Sequence, residues 1–176
     1  MTPAKEKDME LKELFLEQLE REAVITRKTV ERVPEGCNSW RPHEKSMALG
    51  YLAALVATMP GWVSFMIEQD ELNLDAPSSE EFKTKPAATK AELLQGLDDG
   101  VARARKALEA TTEEHLMKPW RFAMGGKVLS EKPRHVMLTD AVFNHLAHHR
   151  GQLTVYLRLN DASVPALYGP SADEMN

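Results

Sequence analysis

The sequence contains very little cysteine, since Cys37 is the only one among its 176 residues. A single thiol excludes a disulfide within the chain, which is compatible with a reducing cytosol. The sequence also shows no apolar run approaching the roughly 18 residues of a membrane span. Its charged beginning, residues 1–13, resembles neither a signal peptide nor a transit peptide. We therefore expect a cytoplasmic protein with no membrane partner.

Basic residues are also scarce relative to acidic ones, with 22 Lys and Arg against 27 Asp and Glu. The resulting net charge of −5 gives no general attraction to nucleic acid or anionic lipid. No dense basic patch makes a local exception, so no nucleic-acid partner is expected. The hydrophobic share of 43% is ordinary for a globular protein, and the length favours a single domain over residues 1–176.

Apolar residues recur at steps of three and four in four stretches of the chain, as they do in amphipathic helices. The predicted helices cover about residues 8–33, 47–69, 89–110 and 135–160. Pro60 lacks a backbone N–H and is expected to kink the second helix. Thr89 and Glu92 form a capping box that opens the third helix. No alternation of strands and helices is visible, so the pattern predicts an all-α fold, an antiparallel four-helix bundle.

The connections between these helices are polar or irregular, and one of them carries a turn signal. Residues 34–46 and 70–88 are predicted to be loops, whereas the segment before the last helix contains the pair Gly125–Gly126. Two adjacent glycines between apolar runs predict a short hairpin-like excursion. Trp120 and Phe122 lie in this excursion, where they either cover one end of the bundle or line the mouth of a site.

A histidine-rich stretch, NHLAHHRGQL at residues 144–153, lies within the last predicted helix. His145 and His149 are four residues apart, so a helix places both on one face, where they can bind one metal ion. The ion would satisfy one nitrogen of each ring and a neighbouring acceptor the other. Leu146 stands where the metalloprotease motif H-E-x-x-H has its glutamate, which argues against a protease. A catalytic metal site normally has three protein ligands, and the spacing does not locate the third.

Two regions of the sequence carry a resemblance to a known family, the DinB/YfiT-like proteins. The family's C-terminal signature resembles residues 145–161, HLAHHRGQLTVYLRLND, together with residues 164–174, VPALYGPSADE. Its first signature resembles residues 39–62, SWRPHEKSMALGYLAALVATMPGW. The resemblance covers nearly the whole chain. It implies a four-helix bundle, a homodimer, and a divalent metal ion held by three histidines.

The resemblance also implies which residues would bind the metal. His145 and His149 match the pair on the family's last helix. The third ligand of the family stands in an L-A-x-H segment on the second helix. Residues 52–55 of this chain read Leu-Ala-Ala-Leu, so Leu55 occupies the histidine position. Leucine cannot bind metal, and two histidines hold an ion more weakly unless another group replaces the third. The candidates for that replacement are His43, Glu44, His148 or a residue of a partner chain.

For activity, the resemblance implies a metal-dependent thiol transferase, in which zinc, nickel, iron or manganese lowers the pKa of a small-molecule thiol. In that case Gln152 would hydrogen-bond a ligand or substrate, Arg150 would hold an anionic group, and Tyr168 would close the pocket. A salt bridge between helices and simple packing are the alternative roles of Arg150 and Tyr168. The alternative for the whole chain is a degenerate, metal-free member that serves as a binding or interaction module, or a purely structural dimer. None of these possible functions identifies a catalytic residue.

Overall fold

The computed structural model describes residues 9–175, apart from the side chains of Ser78 and Glu81. The first helix, α1, spans Leu11–Glu31, and residue 8, where it was expected to begin, lies outside the described residues. The Glu10 carboxylate accepts a hydrogen bond from the backbone N–H of Glu13, and the Glu13 carboxylate accepts one from the N–H of Glu10. This reciprocal capping box satisfies two N–H groups near the helix start that lack a partner within the helix.

The second predicted helix is divided at Pro60. Helix α2 spans Leu49–Thr58, a 3-10 turn covers Met59–Gly61, and α3 spans Trp62–Glu68. Because proline has no N–H to donate and its ring crowds the preceding turn, the chain tightens there and does not continue as one regular helix. The expected interruption at Pro60 is therefore confirmed.

The stretch that contains α2 and α3, Leu49–Glu68, is long and apolar enough to cross a membrane when judged by length and composition alone. The expectation that the chain has no such stretch is therefore wrong. Within the fold, 72% of its most apolar window is buried, and nearly every side chain of α2 lies in the core. Its composition is thus accounted for by burial, as in the central helix of a soluble protein.

The connection after α3 is more regular than the loop predicted over residues 70–88. It contains a short strand, β1, at Glu71–Asn73, and a 3-10 helix at Pro77–Phe82. Strand β1 pairs in parallel with a strand that lies about fifty residues later. A three-residue strand in which only Leu72 is buried carries no periodicity of its own. The loop prediction is therefore wrong for this part of the connection.

Helix α4 spans Lys90–Ala110 and begins at the predicted cap. The Thr89 hydroxyl accepts a hydrogen bond from the Glu92 N–H at 3.2 Å. The Glu92 carboxylate accepts one from the Ala88 N–H at 2.7 Å, one residue earlier than in a capping box. The predicted helix start is confirmed, and of the capping box only the threonine half is present.

After a short helix, α5 at Glu113–Met117, the chain forms the predicted hairpin. Strands β2, Pro119–Met124, and β3, Lys127–Pro133, are antiparallel. Gly125 and Gly126 connect them with φ values of 61° and 68°, the left-handed region that glycine enters most readily. Because β1 joins β2, the described residues contain a three-stranded sheet in the order β1-β2-β3. The all-α prediction is therefore corrected to a mainly helical fold with a small mixed sheet.

The last predicted helix, expected over about 135–160, is not uniform. It begins as α6 at Arg134–Met137, widens into a π-helical turn at Leu138–Asn144, and continues as α7 at His145–Leu159. A π-helical turn pairs each N–H with a carbonyl five residues back, one more than in an α-helix. It therefore changes the direction in which the side chains of α7 point relative to those of α6.

Arg134 anchors the start of α6 to the end of α3. Its guanidinium is fully buried and donates to the backbone carbonyls of Met66 at 2.6 Å and His115 at 3.0 Å. It also donates to the Asp70 carboxylate at 2.6 Å. A buried guanidinium is stable only when its donors find acceptors. This set of bonds therefore holds in place the segment from which the π-helical turn and α7 follow.

The described residues form two buried clusters between the helices. Leu55 of α2 and Leu146 of α7 belong to one, and Trp120 of the hairpin belongs to the other. Helix α4 contacts α1, α2 and α3, and α2 contacts α7. The approach of α4 to the 3-10 turn is close, because a Cβ on Gly100 would lie 3.2 Å from the Gly61 nitrogen. A side chain on either glycine would push these two elements apart.

Candidate functional site

The candidate site lies at the start of α7, where the π-helical turn ends. Such turns depart from regular helical pairing and are frequent at functional sites. Here the backbone N–H of His145 donates to the Val142 carbonyl. The Ala141 carbonyl accepts a hydrogen bond from the imidazole ring of His145. The irregular turn thus gives the ring a backbone acceptor, which orients it.

His145 and His149, called here the histidine pair, face each other across one turn of α7. Their Nε2 atoms are 2.8 Å apart and their ring centroids 4.5 Å apart. Two nitrogens that each lie about 2.0–2.1 Å from one ion are separated by roughly 2.9–3.4 Å at bond angles of roughly 90–110°. The observed separation is close to that range, and it is also an ordinary hydrogen-bond length. The geometry therefore fits either a shared ion or a shared proton.

Hydrogen bonds on the far side of the two rings bear on where the protons lie. A proton on the His145 nitrogen that faces the Ala141 carbonyl would leave Nε2 of the neutral ring as a bare lone pair. His149 Nδ1 lies 2.8 Å from Gln152 Oε1, and the Gln152 amide nitrogen donates to His148 Nε2 at 3.1 Å. With this amide orientation His149 also carries its proton on Nδ1. Two bare Nε2 atoms at 2.8 Å repel each other unless a cation lies between them.

The pKa values of both histidines are lowered from the ordinary 6.5. Burial is the main cause for each ring, and the neighbouring His149 lowers the pKa of His145 further. The hydrogen bond to Gln152 opposes the effect of burial on His149. A lowered pKa keeps the rings neutral near pH 7, and the neutral ring is the form that binds metal.

The candidates for a third ligand do not complete the site. Leu55, at the position implied by the resemblance, is 7% exposed and packs in the same buried cluster as Leu146. His43 and Glu44 are exposed in the connection before α2, and His148 is the acceptor of the Gln152 amide. Within the described part of the chain, no three His, Cys, Asp or Glu side chains are grouped to hold a metal ion. The residues present therefore fit a two-histidine site and not a three-histidine one.

Arg150 joins α7 to α1 and to the C-terminal tail. It is 1% exposed and donates to the Glu22 carboxylate at 2.6 Å and to the Thr26 hydroxyl at 2.9 Å. It also donates to the Tyr168 hydroxyl, which itself donates to Glu22 at 2.9 Å. Burial raises the pKa of Tyr168, and Glu22 adds to this, whereas Arg150 lowers it.

The sequence-predicted residues thus fall into two groups. Gln152 is bonded to the histidine pair, whereas Arg150 and Tyr168 are bonded to each other and to α1. The contacts of Arg150 are those of a buried salt bridge between elements. Substrate-binding roles for Gln152, Arg150 and Tyr168 stay predictions. The sequence did not reveal Glu22 as the partner of Arg150, because the two residues lie 128 positions apart.

An apolar cavity of about 290 Å³ adjoins His145. Trp120 and Phe122, expected either to cover one end of the bundle or to line the mouth of a site, line this cavity, and Trp120 is also a core residue. Trp62 of α3 and Phe82 of the 3-10 helix complete its aromatic wall. Sequence reasoning missed Phe82, although a lone phenylalanine in a polar connection was a signal that could have found it.

Comparison with known proteins addresses the family. The sequence profile of the DinB family matches residues 5–176. The chain belongs to the DinB family. Its fold is similar to that of the DinB-like protein YjoA from Bacillus subtilis, at 20% identity and a TM-score of 0.66, covering 90% of this chain and 99% of the other. A DinB-like protein from Bacillus cereus gives 22% identity and a TM-score of 0.67, covering 88% of this chain and 95% of the other.

The match to the DinB family confirms the resemblance drawn from the two sequence signatures. At 20% and 22% identity, the likeness to the two Bacillus proteins shows a shared fold alone. No curated protein matches the chain.

Proposed function

We propose that this DinB-family chain is a metal-binding protein in which the histidine pair holds one divalent ion through its two Nε2 atoms. The observation that carries the proposal is the facing pair of Nε2 atoms of His145 and His149, which lie 2.8 Å apart. Gln152 orients His149 from the opposite side of the ring, as neighbouring acceptors commonly orient metal-binding histidines. Imidazole suits zinc, nickel, iron and copper, so the pair by itself does not select the ion.

Two protein ligands leave positions on the ion for donors from solution. We propose a small-molecule thiol as such a donor, since an ion here would lower its pKa and supply a thiolate nucleophile, as in a metal-dependent thiol transferase. In this proposal Gln152 holds the orientation of His149. Arg150 and Tyr168 hold α7 against α1. No side chain of the protein has a proton-transfer role in this proposal.

Elemental analysis of the full chain, purified without a histidine tag, tests the metal proposal. Because two histidines hold an ion weakly, the chain is measured in equilibrium with excess zinc, and we expect about one bound ion per chain at the one pair of Nε2 atoms. The variants His145→Ala and His149→Ala should lose it. His135→Ala is the matched control, since His135 lies on α6 and takes no part in the histidine pair. Substoichiometric metal that is unchanged in His145→Ala would sink the proposal.

A second candidate function, a metal-free binding or interaction module, is favoured by Leu55. If the Gln152 amide is turned over, its nitrogen donates to Nδ1 of His149, and His149 then donates from Nε2 to His145. This arrangement satisfies both rings without an ion. Proton–nitrogen NMR spectra of the imidazole groups distinguish the two candidates. A proton on Nε2 of His149 supports the metal-free module, and a proton on Nδ1 of both rings supports the metal site.

The resemblance also supports proposals about architecture and assembly. We propose that residues 1–176 form one antiparallel four-helix bundle domain, with the sheet at its side, and that the chain is a cytoplasmic homodimer. Size-exclusion chromatography with light scattering tests the dimer and should give twice the mass of one chain. A dimer whose histidines bind no metal in the preceding assay would leave the purely structural alternative.

A further inference from the structure

The cavity beside the histidine pair is almost entirely apolar. Its volume is about 290 Å³, and segments that are distant in sequence meet around it. Of the described residues that line it, His145 is the only one with a titratable side chain. Its aromatic walls are formed by Trp62, Phe82, Trp120 and Phe122.

The aromatic rings are arranged so that carbon atoms face the cavity. The Trp62 and Phe82 rings stack with their centroids 4.7 Å apart, and the Trp62 ring lies 6.0 Å from the His145 ring. The polar atom of Trp120 is already occupied, since its ring N–H donates to the Gln69 carbonyl at 3.0 Å. Aromatic faces of this kind bind apolar and aromatic groups through dispersion and removal of surface from water.

We propose that this cavity binds the uncharged apolar part of a small organic molecule, an aromatic ring or a hydrocarbon group of similar size, with its polar end at His145. Cavities of about 150 Å³ lined by aliphatic and aromatic side chains accommodate benzene. A cavity of about 290 Å³ has room for such a ring and a substituent. The inference deepens the metal-binding proposal and rests on it only for the reaction, because the binding site itself is formed by apolar residues.

The lining also argues against a charged occupant. Moving a carboxylate into an apolar cavity costs several kcal/mol unless a countercharge or hydrogen-bond donors meet it. Neither buried guanidinium supplies a free countercharge: Arg134 is bound to the Met66 and His115 carbonyls and to Asp70, and Arg150 to Glu22 and Tyr168. A neutral molecule bears no such cost, and this difference selects neutral molecules over anions of the same shape.

Methionine-methyl NMR of the full chain tests the proposal, with toluene as the neutral probe and benzoate as an anion of nearly the same shape. Met66 and Met137 line the cavity and should report occupancy. Met124, 48% exposed on the hairpin, is the internal control. We expect toluene to shift the Met66 and Met137 methyl signals and to leave Met124 unchanged. With EDTA present, so that no ion at the histidine pair can bind the carboxylate, benzoate should bind more weakly by roughly tenfold or more.

Two tryptophan variants complete the test. Leu74 lines the cavity and is 37% exposed, so Leu74→Trp should fill the opening without displacing the core. Leu129→Trp, at a 51% exposed position of β3, is the matched control. We expect toluene binding to be lost in the first variant and kept in the second. Equal toluene binding in both variants, equal affinity for toluene and benzoate in EDTA, or no shift at Met66 and Met137 would each overturn the proposal.

The outcome is separable from that of the metal proposal. Toluene does not coordinate metal, so its binding depends on the cavity alone. A chain that binds toluene and contains no metal would retain this inference and lose the metal site. A chain that contains metal and does not bind toluene would retain the metal site and lose this inference.

Discussion

Gln152 offers a sharp test of how the histidine pair is held. Its Oε1 lies 2.8 Å from Nδ1 of His149, which is 9% exposed. Replacing Gln152 by leucine removes this acceptor and leaves the His149 N–H without its partner. Nothing then selects the tautomer whose Nε2 is bare, and that tautomer is the one that binds metal.

The expected loss follows from the contact that is removed. A hydrogen bond to a largely buried group contributes about 0.5–1.5 kcal/mol, and leaving a buried donor without a partner costs about 1–3 kcal/mol. A loss of about 1.4 kcal/mol is tenfold in affinity, and removal of such orienting partners typically lowers metal affinity by about 10- to 100-fold. We therefore expect Gln152→Leu to weaken zinc binding by roughly tenfold or more. Gln152→Glu, which places a carboxylate against Nδ1, should strengthen it.

Competition with a chromophoric zinc chelator measures these affinities. Gln95→Leu is the control, because Gln95 is an exposed α4 residue whose amide donates to Asp99 at 2.8 Å. Its zinc affinity should equal that of the unsubstituted chain. The reasoning is refuted if Gln152→Leu binds zinc as tightly as Gln95→Leu, or if Gln152→Glu binds it more weakly than Gln152→Leu does.

Three further predictions concern the missing ligand, the protons and the buried salt bridge. Leu55→His should raise zinc affinity in the same chelator assay by roughly tenfold or more, and an unchanged value would mean that another third ligand is already present. Burial lowers the pKa values of both histidines below 6.5, so zinc affinity should stay constant above about pH 6.5 and fall as the pH drops through the lowered pKa values. Because two protons compete with the ion, the fall should reach up to about a hundredfold per pH unit. A decline in zinc affinity that begins above pH 7 would contradict this. Arg150→Met should lower the free energy of unfolding, measured in urea, by about 3–5 kcal/mol because Glu22 stays buried without its partner. Arg158→Met, which removes the partly exposed two-bond pair with Asp173, should change the urea midpoint far less than Arg150→Met does.

The elements that depend on a local chemical signal could be predicted from the sequence. Pro60 marked the break between α2 and α3, because its missing N–H acts wherever the residue stands. Thr89 marked the start of α4, and Gly125 with Gly126 marked the hairpin turn, because those backbone positions favour those residue types. Each signal acts within a few residues, and each was confirmed.

Elements created by contacts distant in sequence were not predictable. Strand β1 exists through its pairing with β2, and three residues are too few to show an alternating pattern. The π-helical turn at Leu138–Asn144 changes the pairing by only one residue, which an apolar stripe of period 3.6 does not resolve. The consequence is local but important, since this turn orients His145.

The residues of the candidate site also divide into those that the sequence could predict and those that it could not. The four-residue spacing of His145 and His149 sufficed to predict that they face each other, because spacing alone sets this geometry on a helix. Other residues near the site lie far from the histidines in the sequence. Phe82, in the connection after β1, lines the cavity, and Glu22 of α1 binds Arg150. No period in the sequence relates these residues to the histidines.

The presence of Leu55 at the expected third-ligand position affects how the neighbouring cavity would contribute to ligand binding. An ion held by two imidazoles alone is bound weakly, so a donor from solution would contribute a larger share of its coordination. Binding of that donor and binding of the ion would then be linked, each raising the affinity for the other by the same factor. Since the cavity lined by Trp62 and Phe82 adjoins His145, the apolar part of the donor would add to that coupling. Specificity in this chain would therefore reside in the cavity, and a molecule that fits it should increase the occupancy of the metal site.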